Sequence, residues 1–209
     1  MKKISKLIVG IMVISGLSLS LGSCGGNNED YGPTDSTDTY VALHNIMTRT
    51  SVRQYTGKQI PQDTITTILK AGMAAPSAMN KQPWKFVVVS NLKLRNRLGD
   101  AIQGVGDKAK TAGAVIVVCG DSEKFIEEAP EYWVQDCSAA SENILLAVNA
   151  LNLGGVWCGV YPNMDRVAEV QEILGLQKNL IPLNVITIGY PTALQSPKDK
   201  WDENNIINK

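Results

Sequence analysis

Arg49, Ser51 and Arg53 alternate along the stretch MTRTSVRQYTGKQIP, residues 47–61, and could together bind an anion. If this segment is extended, side chains two residues apart point the same way, so two guanidiniums and a hydroxyl meet at one place. Arginine presents a rigid set of donors to phosphate oxygens. The spacing therefore predicts a phosphate site, while a solvated turn after a helix is the alternative interpretation.

A second polar cluster lies in AAPSAMNKQPWKFVVV, residues 74–89, just before an apolar run. Pro76 stiffens the loop, and Ser77, Asn80 and Gln82 offer donors and acceptors for a polar, planar ligand. Loops next to strands often carry binding residues. A proline turn whose side chains bond to their own backbone explains the same residues, so both interpretations stay open.

Two further stretches could add backbone donors and positive charge. In LGGVWCGVYP, residues 153–162, Gly154 and Gly155 would let a ligand approach the backbone closely, although a helix end followed by a buried strand also explains them. In GYPTALQSPKDKWD, residues 189–202, Lys198 and Lys200 could add charge to a phosphate site or simply be solvated.

Other kinds of site find little support in the sequence. There is no GxGxxG or Walker motif, which removes two familiar ways to bind phosphate. His44 is the single histidine and has no companion for a metal site or a triad, so we expect it to be structural. Cys119, Cys137 and Cys158 lack metal-ligand or CxxC spacing, and we interpret them as small buried apolar residues. No metal is predicted.

The first 39 residues are typical of export and tethering segments. Residues 1–23 place three lysines before an apolar run of 15 residues, shorter than the roughly 20 that a membrane-spanning helix needs. Their ending, LGSC, resembles a bacterial lipoprotein signal in which Cys24 becomes lipidated, with an ordinary cleaved signal peptide as the alternative. Residues 24–39 are acidic and poor in apolar side chains, which predicts a flexible tether.

These segments predict a location and exclude one class of partner. We expect a protein of the bacterial cell envelope, held to the membrane through its lipid anchor only, with the domain at residues 40–209 outside the cytoplasm. Without its first three lysines the chain carries 17 basic and 20 acidic residues, a net charge of −3. A nucleic-acid partner is not expected, because such proteins normally display a basic surface.

The elements that must position these motifs alternate between helices and strands. The order is two helices, a strand, a helix, a strand, a long helix, a strand, a helix and a strand. Leu43, Ile46 and Met47 mark the first helix, and the longest helix runs from Tyr132 to about Asn152 with a face of small residues. GAVIVVCGD, residues 113–121, is a continuous apolar run typical of a strand buried on both faces. The pattern indicates an α/β or α+β domain.

Five motifs in this order resemble those of the FMN-dependent nitroreductase family, and the resemblance spans residues 40–201. They are RTSVR, PSAMNKQPW, DCSAASENILLA, GGVWCGVYP and the late GYP followed by KDK. The resemblance implies an α+β fold with a central, mainly antiparallel sheet flanked by helices. It also implies an intertwined homodimer that binds two flavins.

The resemblance further implies three groups of FMN contacts. The phosphate and ribityl chain would be held by Arg49, Thr50, Ser51 and Arg53, joined by Lys198 or Lys200. Pro76 and Ser77 would approach the flavin from the second subunit, with Asn80 near the edge of its ring system. Backbone groups around Gly155, Val156 and Trp157 would contact the ring.

The implied function is a ping-pong oxidoreductase. NADH or NADPH would reduce the flavin and leave, and a nitroaromatic, quinone or similar acceptor would then be reduced at the same face. No catalytic side chain is assigned. Two alternatives remain: a flavin-dependent reductive dehalogenase, for which the segment DSEKFIEEAPEYWVQD is a short lid, and a flavin-binding lipoprotein without turnover.

Overall fold

A computed structural model of the chain describes residues 36–209, which form six α-helices and a four-stranded sheet. The helices are α1 (Ser36–Thr48), α2 (Gln62–Met73), α3 (Leu92–Ala101), α4 (Asp107–Thr111), α5 (Tyr132–Ala150) and α6 (Met164–Leu174). The strands are β1 (Trp84–Val89), β2 (Ala114–Asp121), β3 (Gly154–Gly159) and β4 (Leu180–Gly189). The predicted signal segment, Cys24 and the tether as far as residue 35 lie outside the described residues.

The sheet has the order β1-β2-β4-β3, and all of its neighbouring strands are antiparallel. Every residue of β2 is buried, as the continuous apolar run at residues 113–121 predicted. The α+β class and the antiparallel sheet flanked by helices are thereby confirmed. β1 and β3 form the two edges of the sheet, and the free edge of β3 lies beside the segment that contains Ser51.

Helices cover both faces of the sheet because successive residues of β2 point to opposite sides. Val115 and Val117 belong to the cluster that contains residues of α3, α4 and α6. Ile116 and Val118 belong to the cluster that contains residues of α2 and α5. The sheet is therefore the middle layer of three, and it presents only its edges to ligands.

The close contact between α2 and α5 depends on a glycine that lies inside α2. A Cβ at Gly72 would lie 2.9 Å from the Cγ1 atom of Ile144. The small residues predicted on α5 are buried at Cys137 and Ser141, and the same helix also buries the larger Ile144. At Ile144 the space comes from α2, where a missing side chain admits a large neighbour at normal packing density.

The helices of the structure differ from the predicted ones in two respects: where α1 begins, and the presence of α4. α1 begins at Ser36, so the last four residues of the predicted tether, 36–39, are helical. The tether was predicted from composition alone, which does not fix the residue at which the first helix begins. The five-residue α4 was not predicted, because so short a helix has no hydrophobic periodicity to detect.

The cysteines are buried and unpaired, as predicted. Cys119, Cys137 and Cys158 are free thiols enclosed by the two core clusters. Burial raises the pKa of the Cys119 thiol to about 12 and raises the pKa of the other two thiols above the ordinary value. Within residues 36–209, no helix has both the length and the apolar character to span a bilayer.

Candidate functional site

The segment after α1 lies along the free edge of β3 in an extended conformation. Ser51 forms a parallel bridge with Gly155, and the Val52 amide donates to the Gly155 carbonyl over 3.0 Å. Farther along, the Thr56 amide donates to the Tyr190 carbonyl over 2.9 Å. Ser51 and Val52 are therefore paired with the strand edge as the extended geometry requires, whereas Arg49 directly follows α1 and its amide still donates to the Asn45 carbonyl over 3.2 Å.

Two buried side chains fix the position of this segment. Val52 and Tyr55 are both buried in the core, and the Tyr55 hydroxyl lies 2.7 Å from the Val52 carbonyl and 2.9 Å from Thr187 Oγ1. Burial raises the pKa of Tyr55, so this hydroxyl stays protonated as a donor. Val52 alternates with Ser51 and Arg53, so its burial leaves those two residues on the outward side, while Tyr55 anchors the segment farther along, where it bridges to Pro191.

Glycine is required where the segment crosses β3. A Cβ at Gly154 would lie 2.6 Å from the Cβ of Val52, closer than side-chain atoms normally approach. Gly154 was predicted to allow a ligand near the backbone. Its observed role is to admit the segment that carries Arg49 and Arg53.

The predicted phosphate residues meet in one cavity of about 320 Å³. Its lining residues are Arg49, Thr50, Ser51, Arg53, Gln195, Ser196, Lys198 and Lys200. The two arginines come from the start of the domain and the two lysines from its carboxyl-terminal segment, so folding joins groups about 150 positions apart in the chain. Gln195 and Ser196 were not among the predicted residues.

Positive charge dominates this cavity. Arg49 pairs with Glu142 of α5, with 3.1 Å between Nε and Oε1. Arg53 donates from Nη1 to the Ser51 carbonyl over 3.1 Å. In the part of the chain that the structure describes, neither Lys198 nor Lys200 has a carboxylate partner within ion-pair distance. Such a cavity suits a multiply charged anion with several acceptor oxygens.

A second cavity, of about 510 Å³, shares Arg53 with the first. Its lining residues are Arg53, Gln54, Tyr55, Asp107, Lys108, Thr111 and Thr192. Lys108 lies on α4, and its ammonium donates to the Gly104 carbonyl over 2.9 Å. Lys108 was not among the predicted site residues, because only the fold brings α4 beside Arg53.

The free edge of β3 offers backbone donors, but not all at the residues predicted. Antiparallel strands bond through alternate residues. The Gly155 carbonyl accepts from Val52 on the outer side of β3, whereas the Val160 amide, just after β3, donates to the Leu183 carbonyl of β4. The backbone groups of even-numbered residues in β3 are therefore directed to β4. Val156 is therefore directed to β4 and Gly155 is engaged by the segment. Trp157 and the unpredicted Gly159 face the free edge.

The proline loop does not line the arginine cavity of the same chain. The Gln82 amide donates to Ser77 Oγ over 3.0 Å, and Gln82 Nε2 donates to Asn80 Oδ1 over 2.9 Å. Within this chain, Ser77 therefore bonds to the backbone of its own loop, which is the alternative interpretation given for this motif. Pro76 and Asn80 are exposed, and none of the three residues contributes to the cavity lined by Arg49.

The remaining candidates do not form a site in the described part of the chain. His44 is exposed and stacks on Tyr40 with 5.7 Å between ring centroids. Residues 36–209 contain no group of three or more histidine, cysteine or acidic side chains placed to hold a metal ion. The chemistry of the site therefore depends on cations, hydroxyls and backbone amides.

Comparison with known proteins relates this geometry to a family. The "Nitroreductase family" model matches residues 46–132 and 106–190. The chain is 41% identical over 164 residues to a "Putative NADH dehydrogenase/NAD(P)H nitroreductase" of Methanothermobacter thermautotrophicus, covering 78% of this chain and 84% of that protein.

Solved structures give the same relationship. A crystal structure of the same description from Bacteroides thetaiotaomicron matches with a TM-score of 0.75 and 41% identity, covering 80% of this chain and 96% of that one. A "putative nitroreductase in complex with fmn" from Desulfovibrio desulfuricans matches with a TM-score of 0.71 and 28% identity, covering 80% and 96%. With its sheet order, its cationic cavity and these matches, the chain belongs to the nitroreductase family.

Proposed function

We propose that this chain is an FMN-dependent oxidoreductase that takes electrons from NADH or NADPH and passes them to a small acceptor such as a nitroaromatic or a quinone. Membership of the nitroreductase family supports the reaction class. The observation that carries the proposal is the convergence of two arginines and two lysines on one cavity beside free backbone amides. That arrangement provides a phosphate site and a ring-binding edge side by side.

The residues of the site fit FMN by their chemistry. Arg49, Ser51 and Arg53, with Lys198 or Lys200, would hold the phosphate, because each offers a donor to anionic oxygens. Thr50 shares the cavity and would hold the ribityl chain. The Trp157 and Gly159 amides on the free edge of β3 would donate to the ring system, replacing the predicted Val156.

The charged residues also suggest how the chain assists electron transfer. When bound, FMN supplies the hydride-accepting and electron-donating chemistry. Arg53 and Lys108 line the second cavity and place two positive charges there, while the Asp107 carboxylate in the same lining pairs with Lys110. We assign to this pair the stabilisation of negative charge on the reduced cofactor, a role that the sequence left without a residue. No side chain needs to act as a nucleophile.

The proposal includes a homodimer in which Pro76, Ser77 and Asn80 complete the site of the second chain. Two features support it: these residues lie apart from the arginine cavity of their own chain, and large apolar side chains are exposed. Those of α1 include Leu43, Ile46 and Met47, and those of the carboxyl-terminal segment include Trp201 and Ile207. Exposed apolar area of this kind is typical of an interface.

The proposed location is the bacterial cell envelope. The lysine-flanked apolar run at residues 1–23, the LGSC ending at Cys24 and the acidic residues that follow support an exported, lipid-anchored protein. In that location, a quinol or a redox protein could replace NAD(P)H as the physiological electron donor.

The visible spectrum of the purified protein, before and after anaerobic addition of NADH or NADPH, tests the proposal. We expect bound flavin that is bleached by one of the two donors and reoxidised by a nitroaromatic or quinone. Replacing both Lys198 and Lys200 with alanine should lower the flavin content, whereas the exposed Lys178→Ala control should not. A protein that neither carries nor takes up FMN would contradict the proposal. Reoxidation by halogenated phenols alone would favour the dehalogenase.

A further inference from the structure

Glu142 is the acidic partner of the phosphate cavity. Its carboxylate lies on α5, with Oε1 3.1 Å from Nε of Arg49. The Arg49 side chain is only 17% exposed, whereas that of Glu142 is 50% exposed. A mostly buried guanidinium is thus held by a carboxylate that itself remains in contact with water.

The atom through which Arg49 is held determines what remains free. Nε is engaged by Glu142, so the two terminal nitrogens, which form the other edge of the planar guanidinium, are left for an anion. Arg49 also lines the cavity together with Arg53, Lys198 and Lys200. Four like charges repel one another, and a carboxylate behind Arg49 offsets part of that repulsion.

We propose that Glu142 is a positioning residue that orients Arg49 for the cofactor phosphate. The proposal rests on the proposed function, because it concerns the FMN site. Glu142 does not touch the phosphate: it acts through Nε of Arg49, fixing the guanidinium so that its terminal nitrogens face the cavity. Binding then requires less ordering of a long, flexible side chain.

The test compares FMN with riboflavin, which has the same ring system and ribityl chain but no phosphate. Dissociation constants are measured by flavin fluorescence on the apoprotein of the wild type, Glu142→Ala and Glu142→Gln. We expect Glu142→Ala to weaken FMN binding by about three- to tenfold and to leave riboflavin binding unchanged. Glu142→Gln keeps an acceptor for Nε and should recover part of the loss. Glu169→Gln, an exposed change on α6, controls for net charge.

A double-mutant cycle with Arg49→Ala shows whether Glu142 acts through that arginine. Once Arg49 is absent, Glu142→Ala should change the FMN dissociation constant no further, because residues that act as a unit are not additive. Additive losses would overturn the inference. So would equal losses for FMN and riboflavin, which indicate a general structural role, or tighter FMN binding, which indicates repulsion between carboxylate and phosphate.

Failure of the proposed function has a different signature. If the wild-type protein binds neither FMN nor riboflavin, the FMN assignment itself is wrong. If the wild type binds both and the Glu142 variants match it, the FMN assignment stands and the positioning role is overturned.

Discussion

At the scale of single residues, the site depends on how closely Val52 and Tyr55 approach the sheet. Gly154 and Gly189 make this possible, since a Cβ at Gly189 would lie 2.8 Å from the Tyr55 ring. The two anchors fix the register of the segment that carries Arg49, Ser51 and Arg53. Residues that never contact a ligand therefore decide where the binding residues point.

A substitution on β3 tests this dependence. Gly154→Ala places a Cβ 2.6 Å from that of Val52, so the segment must shift, and we expect a loss of about 1–3 kcal/mol in the free energy of unfolding together with weaker FMN binding. Urea unfolding and flavin titration measure the two effects. Gly159→Ala on the same strand meets nothing within 4 Å and should leave stability unchanged. Equal stability losses for both variants would contradict the argument.

At the scale of elements, α5 organises the proline loop as well as the core. Asp136 is buried and accepts from the Ala78 amide over 2.8 Å. The loop it holds includes Met79, Asn80 and Gln82, all with positive φ, which costs energy for residues other than glycine. A single buried carboxylate on a rigid helix therefore maintains a strained loop that is proposed to complete the second chain's site.

Removing that carboxylate should loosen the loop selectively. Asp136→Ala leaves the Ala78 amide without its acceptor, and we expect a loss of about 1–3 kcal/mol and faster hydrogen exchange at residues 77–82. Gln135→Ala, at an exposed neighbouring position on α5, is the control and should change neither quantity. Unchanged exchange in the Asp136 variant would show that the loop holds its conformation without α5.

At the scale of the whole molecule, apolar area is distributed unevenly between core and surface. The cores on both faces of the sheet are filled, yet Met47 of α1 is 76% exposed and Trp201 is 75% exposed. Isolated apolar side chains on a surface are ordinary, but several large ones on a single helix are typical of a surface that a partner covers.

We expect the protein to sediment as a dimer. The double variant Leu43→Glu/Ile46→Glu adds charge to the exposed face of α1. This variant should be shifted to monomers that retain less flavin. Analytical ultracentrifugation with flavin quantification measures both results. Met164→Glu alters an exposed apolar residue of α6 and serves as the matched control. Wild-type monomers with full flavin content would rule out a site shared by two chains.

The buried thiols predict a loss of stability at alkaline pH. Burial raises the pKa of Cys119 to about 12 and the pKa of Cys137 above its ordinary value, so above about pH 8.5 the unfolded chain releases protons that the folded chain retains. The free energy of unfolding should therefore fall as pH rises, by up to about 1.4 kcal/mol per pH unit for each thiol. Urea titrations from pH 7 to 10 measure the slope. Cys119→Ala should reduce it, and an unchanged slope would contradict this assignment.

Local patterns in the amino-acid sequence were enough to predict the order and type of the long elements and most of the candidate site. The continuous apolar run of β2 and the alternation of Arg49, Ser51 and Arg53 are local patterns, which follow from neighbours along the chain. Such patterns did not reveal α4, which is too short to show a period. The family motifs indicated Lys198 and Lys200 as partners of the arginines, although no local pattern linked them.

Which groups face one another depends on long-range contacts, and these are visible only in the folded chain. Lys108 joins Arg53, and Glu142 holds Arg49, because the fold brings together segments that are distant in the chain. The pairing of β3 with β4 determined that Trp157 and Gly159, rather than Val156, present free amides, since hydrogen-bond direction in a sheet depends on register. Residue types and spacing indicate what chemistry is available, whereas contacts between distant segments fix where it acts.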